Sequence, residues 1–162
     1  MQFDTHKLNV YKELLATTEI QKGYQEFIKL FRYLRIELEK ELDDFSFSGS
    51  IVENRMDFAY FQLFSDELKA KGLKAQIVFV HKEYRFEVWI SGYNRKIQRD
   101  YYNCLKNQNI KYIVNGDPER VDYIIKSPLP KNTDISNGEL LIELLKSEIN
   151  EIVTFAEKIN IS

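Results

Sequence analysis

The sequence predicts an α+β fold: a largely antiparallel central sheet of about five or six strands, flanked by long N-terminal and C-terminal helices. Two observations lead there. Apolar residues recur at helical spacing near both ends of the chain and alternate in the middle. Strands gathered between terminal helices fit α+β better than a regular βαβ succession.

The first helix runs from Asp4 to about Ala16, with Leu8, Tyr11 and Leu15 on one face. Thr18-Glu19-Ile20-Gln21 reads as a capping box opening a long second helix. That helix carries Ile20, Tyr24, Phe27, Phe31, Leu34 and Leu38 inward, a charged face outward, and ends at Asp43-Asp44. From Phe45 the period becomes two, with Phe45, Phe47, Gly49 and Ile51 alternating with serines. A connection near Asn54-Arg55 leads to a strand from Asp57 to Phe64, and a short helical turn from Asp66 stops at Gly72. Strands follow from Lys74 to His81 and from Tyr84 to Ile90. A two-residue turn between them sets Val80 opposite Arg85, Val78 opposite Glu87 and Gln76 opposite Trp89. A helix from about Tyr93 to Lys106 comes next, then a short strand from Ile110 to Val114, turn chemistry at Asn115 to Pro118, and a last strand from Asp122 to Lys126. Ser136-Asn137-Gly138-Glu139 reads as a second capping box, opening a terminal helix with Leu141, Leu145, Ile149, Ile152, Ala156 and Ile159 inward. The aromatic residues expected inside are Tyr24, Phe27, Phe31, Phe45, Phe47, Phe58, Tyr84 and Phe86, with Trp89 on the opposite face.

Composition narrows the functional classes. The chain has 162 residues, the size of one domain spanning 1–162. Lysine plus arginine number 23 against 25 aspartate plus glutamate, a formal net charge of −2. That balance offers no global field for nucleic acid, which is therefore disfavoured as a partner. One cysteine excludes an internal disulfide framework and a cysteine-cluster zinc site. The two histidines, His6 and His81, stand too far apart for a metal-binding pair on one element, so no metal or cofactor is called for. No apolar run reaches the roughly 20 residues that span a bilayer. No signal-peptide pattern opens the chain, so a cytoplasmic location without membrane contact is expected. The nucleophile-elbow, metalloprotease and phosphate-loop patterns are all absent.

Three segments carry a family resemblance: Phe47 to Asp57 (Phe-Ser-Gly-Ser-Ile-Val-Glu-Asn-Arg-Met-Asp), Phe86 to Arg95 (Phe-Glu-Val-Trp-Ile-Ser-Gly-Tyr-Asn-Arg), and Asp117-Pro118-Glu119-Arg120-Val121-Asp122. Together they resemble a small family of uncharacterised bacterial proteins classed as a domain of unknown function. The resemblance covers the chain from the long helix to about Leu129. It implies a stand-alone bacterial domain and no particular activity.

Three constellations carry candidate chemistry. In Glu53-Asn54-Arg55-Met56-Asp57, an extended backbone points Glu53, Arg55 and Asp57 the same way, placing an arginine between two carboxylates. That set suits a substrate amine, a divalent ion or a general base; the alternative is a solvated hairpin loop with a weak ion pair. On the strand from Tyr84, the residues Arg85, Glu87 and Trp89 share a face, and a mixed aromatic and charged surface suits a ligand pocket or a helix-covered sheet face. At Ser91-Gly92-Tyr93-Asn94-Arg95-Lys96, a helix N-terminus beside Arg95 suits an anion, while Asn94 also serves as an ordinary cap.

These residues support two readings. One is a small binding or interaction domain, with a surface for an unidentified small molecule or protein near Trp89, Arg85 and Glu87. The other is an enzyme using Glu53, Asp57 or Glu87 as acid or base, with Arg55 or Arg95 holding an anionic group. The sequence does not assign catalytic residues or an oligomeric state.

Overall fold

Alternating apolar strands pair with their sequence neighbours, and here they do so three times in succession, twice through tight turns and once through a short helix. The computed structural model describes residues 1–161. Strands β1 (Ser46–Asn54), β2 (Phe58–Phe64), β3 (Leu73–Val80) and β4 (Arg85–Gly92) form consecutive antiparallel hairpins. Strand β5 (Ile113–Val114) takes the outer edge, and β6 (Ile125–Pro128) inserts between it and β4. The sheet order is β1-β2-β3-β4-β6-β5, all antiparallel. The helices are α1 (Thr5–Thr17), α2 (Ile20–Glu41), α3 (Asp66–Ala70), α4 (Arg95–Leu105) and α5 (Gly138–Glu157). Helices therefore stand at both ends of an antiparallel sheet, an α+β fold. Among the described residues, no helix is long and apolar enough to cross a membrane.

The core lies on one face of the sheet. Phe61 and Leu63 of β2, Ile77 and Phe79 of β3, and Phe86, Val88 and Ile90 of β4 point toward Phe31, Leu34 and Leu38 of α2. Leu141, Leu145, Ile149 and Ile152 of α5 complete the layer, all fully buried. Burying a side chain of this size contributes roughly 1.5–3 kcal/mol, so this layer dominates the favourable side of folding. Gly138, at the start of α5, has no room for a side chain: a Cβ would fall 2.6 Å from the ring of Tyr33 on α2. By contrast, α1 buries none of its residues.

Several local expectations are corrected. The Thr18 capping box does not form, because the Thr18 hydroxyl donates to the Leu14 carbonyl of the preceding helix at 2.5 Å. Glu19 stands at the N-cap of α2 without a side-chain cap bond. At α5 the cap is Asn137, whose side chain accepts from the Leu140 N–H. Ser136 donates instead to Asp134. Strand β6 begins at Ile125 and extends to Pro128, later in the chain than expected. Tyr84 is 65% exposed in the β3–β4 turn, and Phe58 belongs to the opposite sheet face from the core.

The two tight turns hold non-glycine residues in left-handed backbone. Arg55 (φ 51°) and Met56 (φ 61°) form the β1–β2 turn, closed by the Asp57 N–H donating to the Asn54 carbonyl at 2.8 Å. Left-handed backbone costs residues with a Cβ roughly 1–2 kcal/mol, and Asn-Gly is the pair such turns favour. The double substitution Arg55→Asn, Met56→Gly is expected to stabilise the protein by about 1–2 kcal/mol, read as a higher urea midpoint with an unchanged slope.

A second expectation concerns pH. The His81 ring lies 4.9 Å from Phe27 and 5.1 Å from Phe79. Burial pushes its pKa below the ordinary imidazole value, while the charge of Asp57 acts in the opposite direction. With the folded pKa lowered, the unfolded chain binds the proton first. The stability present above the unfolded pKa of ~6.5 is then lost as pH falls through the folded value. Thermal unfolding midpoints should therefore fall on mild acidification, and His81→Phe should lessen that fall. Equal falls in both proteins would assign the pH effect elsewhere.

Candidate functional site

Strands β3 and β4 carry large side chains on both faces, but helices cover only one. On the other face Glu87 is 0% exposed, the residue type least often buried without a partner. Its carboxylate is enclosed by donors from its own strand and the next. Arg85 donates from Nε and from its terminal nitrogen to Oε1, at 3.2 and 3.0 Å. Lys126 Nζ lies 3.0 Å from Oε2, and the Trp89 indole N–H donates to the same oxygen at 2.7 Å. The β3–β4 pairing has the expected cross-strand partners: Val80 with Arg85, Val78 with Glu87, Gln76 with Trp89. Alternation along β4 thus sets Trp89 beside Glu87, and the hydrogen bond fixes the indole's orientation.

Trp89 in turn forms one wall of a cleft of about 610 Å³. Phe58 and Tyr60 of β2 and Lys74 and Gln76 of β3 line it, with Tyr93, Asn94 and Arg95 at the β4–α4 corner. The Phe58 ring lies 5.9 Å from Trp89, and Tyr123 backs the indole at 5.1 Å. Several contacts hold the corner. Gln98 accepts from the Gly92 N–H at 2.9 Å, and Gly92 has no space for a Cβ, which would meet Gln98 N at 2.9 Å. Asn94 caps α4 by accepting from the Ile97 N–H. Arg95 donates to the carbonyls of Pro118 and Val121 and to Asp122, tying the 117–122 loop to the end of the cleft.

The predicted site residues divide into three groups. Arg85, Glu87 and Trp89 come together as one network. Trp89, Asn94 and Arg95 line the cleft. Glu53, Arg55 and Asp57 do not share a face, which corrects the extended reading of that segment. The positive φ of Arg55 and Met56 turns the chain there, so Arg55 and Asp57 stand exposed in a turn. Glu53 lies on the helix-covered face of the sheet, where it accepts from the Tyr24 hydroxyl at 3.0 Å. Glu87 has both oxygens occupied by donors, and Asp122, which lines the cleft, is held by Arg95 at 2.8 Å.

Sequence reasoning missed Lys74, Phe58, Tyr60 and Gln98 as cleft residues. Alternation from Val78 already places Lys74 and Gln76 on the Trp89 face. The position of Gln98 depends on the β4–α4 corner, which no local pattern specifies.

Glu87 provides a direct check of the network. In Glu87→Gln, Arg85 and Lys126 stay close together without an anion. Breaking a buried pair in this way costs about 3 kcal/mol, near the low end of the range because both cations keep some solvent contact. The denaturation midpoint should fall accordingly, and the Trp89 emission should shift red as the indole is released. Arg85→Ala, which leaves Lys126 in place, should cost less.

No curated protein and no solved structure matches this chain significantly. The family model described as a domain of unknown function (DUF7000) matches residues 4–160, nearly the full length, and the chain belongs to that family.

Proposed function

We propose that this domain is a small-molecule-binding module whose ligand seats in the open-face cleft with a planar group against Trp89. The observation that carries this reading is the cleft itself. Its volume of about 610 Å³ falls within the range of roughly 300–1,000 Å³ found for ligand sites. Its lining sets the aromatic residues Phe58, Tyr60, Trp89 and Tyr93 among polar ones such as Lys74, Gln76 and Asn94, more polar than most ligand sites, which suits a polar ligand with a planar part. The Glu87 bond to the indole supplies preorganisation, which lowers the ordering cost of binding. Arg85 and Glu87 serve in this reading as supports of the wall rather than as ligand contacts.

A binding role accounts for the geometry better than acid/base catalysis does, since Glu53 and Asp57 lie away from the cleft and Glu87 is enclosed. A cytoplasmic setting belongs to the same proposal, supported by the single cysteine, which forms no disulfide.

The molecule supplies its own reporter, because Trp89 is the only tryptophan and lines the cleft. Titration with a panel of planar metabolites should change Trp89 emission and raise the thermal midpoint, since a ligand that binds only the native state stabilises it. A panel that raises the midpoint without altering Trp89 emission would place the binding site elsewhere.

A further inference from the structure

We propose that the ligand of this cleft carries a carboxylate or phosphate, held by the Lys74 ammonium and the Gln76 amide while its planar part lies on Trp89. The proposal rests on the cleft reading above and specifies the ligand's charge.

Lys74 lines the cleft, yet among the described residues it has no ion-pair partner within 4.0 Å and no hydrogen bond. The other cations with little side-chain exposure are all paired. Arg35 meets Glu39, Lys71 meets Glu67, and Arg85 and Lys126 meet Glu87. Burial also pushes the Lys74 pKa down, with the charge of Asp122 opposing. An anion beside its ammonium would offset that desolvation.

Gln76 is the second observation. It is only 6% exposed and lines the same cleft. Its Oε1 accepts from the Ser91 hydroxyl at 2.7 Å, which fixes the amide's orientation. Its NH₂ has no protein acceptor among the described residues and is not sealed from solvent, so it is free to donate to a group in the cleft. A carboxylate or phosphate oxygen in the cleft supplies that acceptor.

The surrounding charge agrees. The cleft and its supporting wall hold Lys74, Arg85, Arg95 and Lys126 against Glu87 and Asp122. This face is locally positive in a chain of net charge −2. A positive region walled by low-dielectric side chains concentrates anions. Of the two carboxylates here, Glu87 is enclosed by its donors and Asp122 is paired with Arg95 through Oδ1.

The test is a Trp89 fluorescence titration with a matched panel. Mononucleotides and aromatic carboxylates are the anionic members; nucleosides, aromatic carboxamides and aromatic amines are their neutral and cationic counterparts. Variants are Lys74→Met, which keeps the aliphatic stem; Lys74→Arg, which keeps the charge; and Gln76→Glu, which keeps the acceptor for Ser91 and puts a carboxylate where the NH₂ stood. Unchanged circular dichroism and thermal midpoint confirm that each variant folds. Anionic members should bind more tightly than their counterparts. That preference should fall about 10- to 100-fold in Lys74→Met and Gln76→Glu and persist in Lys74→Arg. The mononucleotide and carboxylate arms then distinguish phosphate from carboxylate as the recognised group. Neutral or cationic members binding as tightly as the anions, or a preference unchanged in Lys74→Met, would overturn the anion assignment and leave the cleft reading standing. No change in Trp89 emission with any member would overturn both.

Discussion

A carboxylate sealed from water must find its counter-charges inside the fold, and the uncovered face of this sheet is arranged around that requirement at Glu87. One oxygen accepts from Arg85 on the same strand, the other from the indole of Trp89, and Lys126 reaches both from β6. Arg85 and Trp89 come from alternate positions of the same strand, and antiparallel register brings in Lys126 as the cross-strand partner of Trp89. The pairing of β4 with β6 is thus an electrostatic matter as well as a backbone one. Removing any member leaves the others in a setting of low polarity where unpaired charge is costly.

The two faces of the sheet solve the burial problem differently. Toward α2 and α5, apolar side chains meet apolar side chains, and the layer needs only shape and volume. On the other face no long helix is available, so large side chains of the strands lie over their smaller neighbours. Val78 is fully buried there, with Phe58 and Trp89 in contact across its face. The aromatic layer stops short of the β4–α4 corner, and the gap between them is the cleft.

Much of the fold was legible because it is local in origin. Alternation from Phe45 onward and the short turns dictate hairpins, and residues opposite one another across β3 and β4 follow from counting. The same counting set Arg85, Glu87 and Trp89 on one face. The connection at Asn54-Arg55, and the hairpin-loop alternative for it, are legible in the sequence, whereas the extended grouping of Glu53, Arg55 and Asp57 fails for a specific reason. Arg and Met are poor residues for left-handed backbone, so the residue types do not signal the tight reversal that separates Glu53 from Asp57. The cleft was only partly legible for a different reason. Its rim brings β2, β3 and β4 together with α4 and the 117–122 loop, and the last of these is held by Arg95 across more than twenty positions of sequence. Contacts of that range leave no periodic trace.

One feature stands apart from this interdependence. Helix α1 has thirteen residues and buries none of them, and isolated helices shorter than roughly 12–15 residues are marginal in water. Its opening therefore need not disturb the sheet. The amides of α1 should exchange as a separate, low-energy unit, ahead of those of β3 and β4. A protease that cuts within it meets no core contact and leaves the network around Glu87 in place.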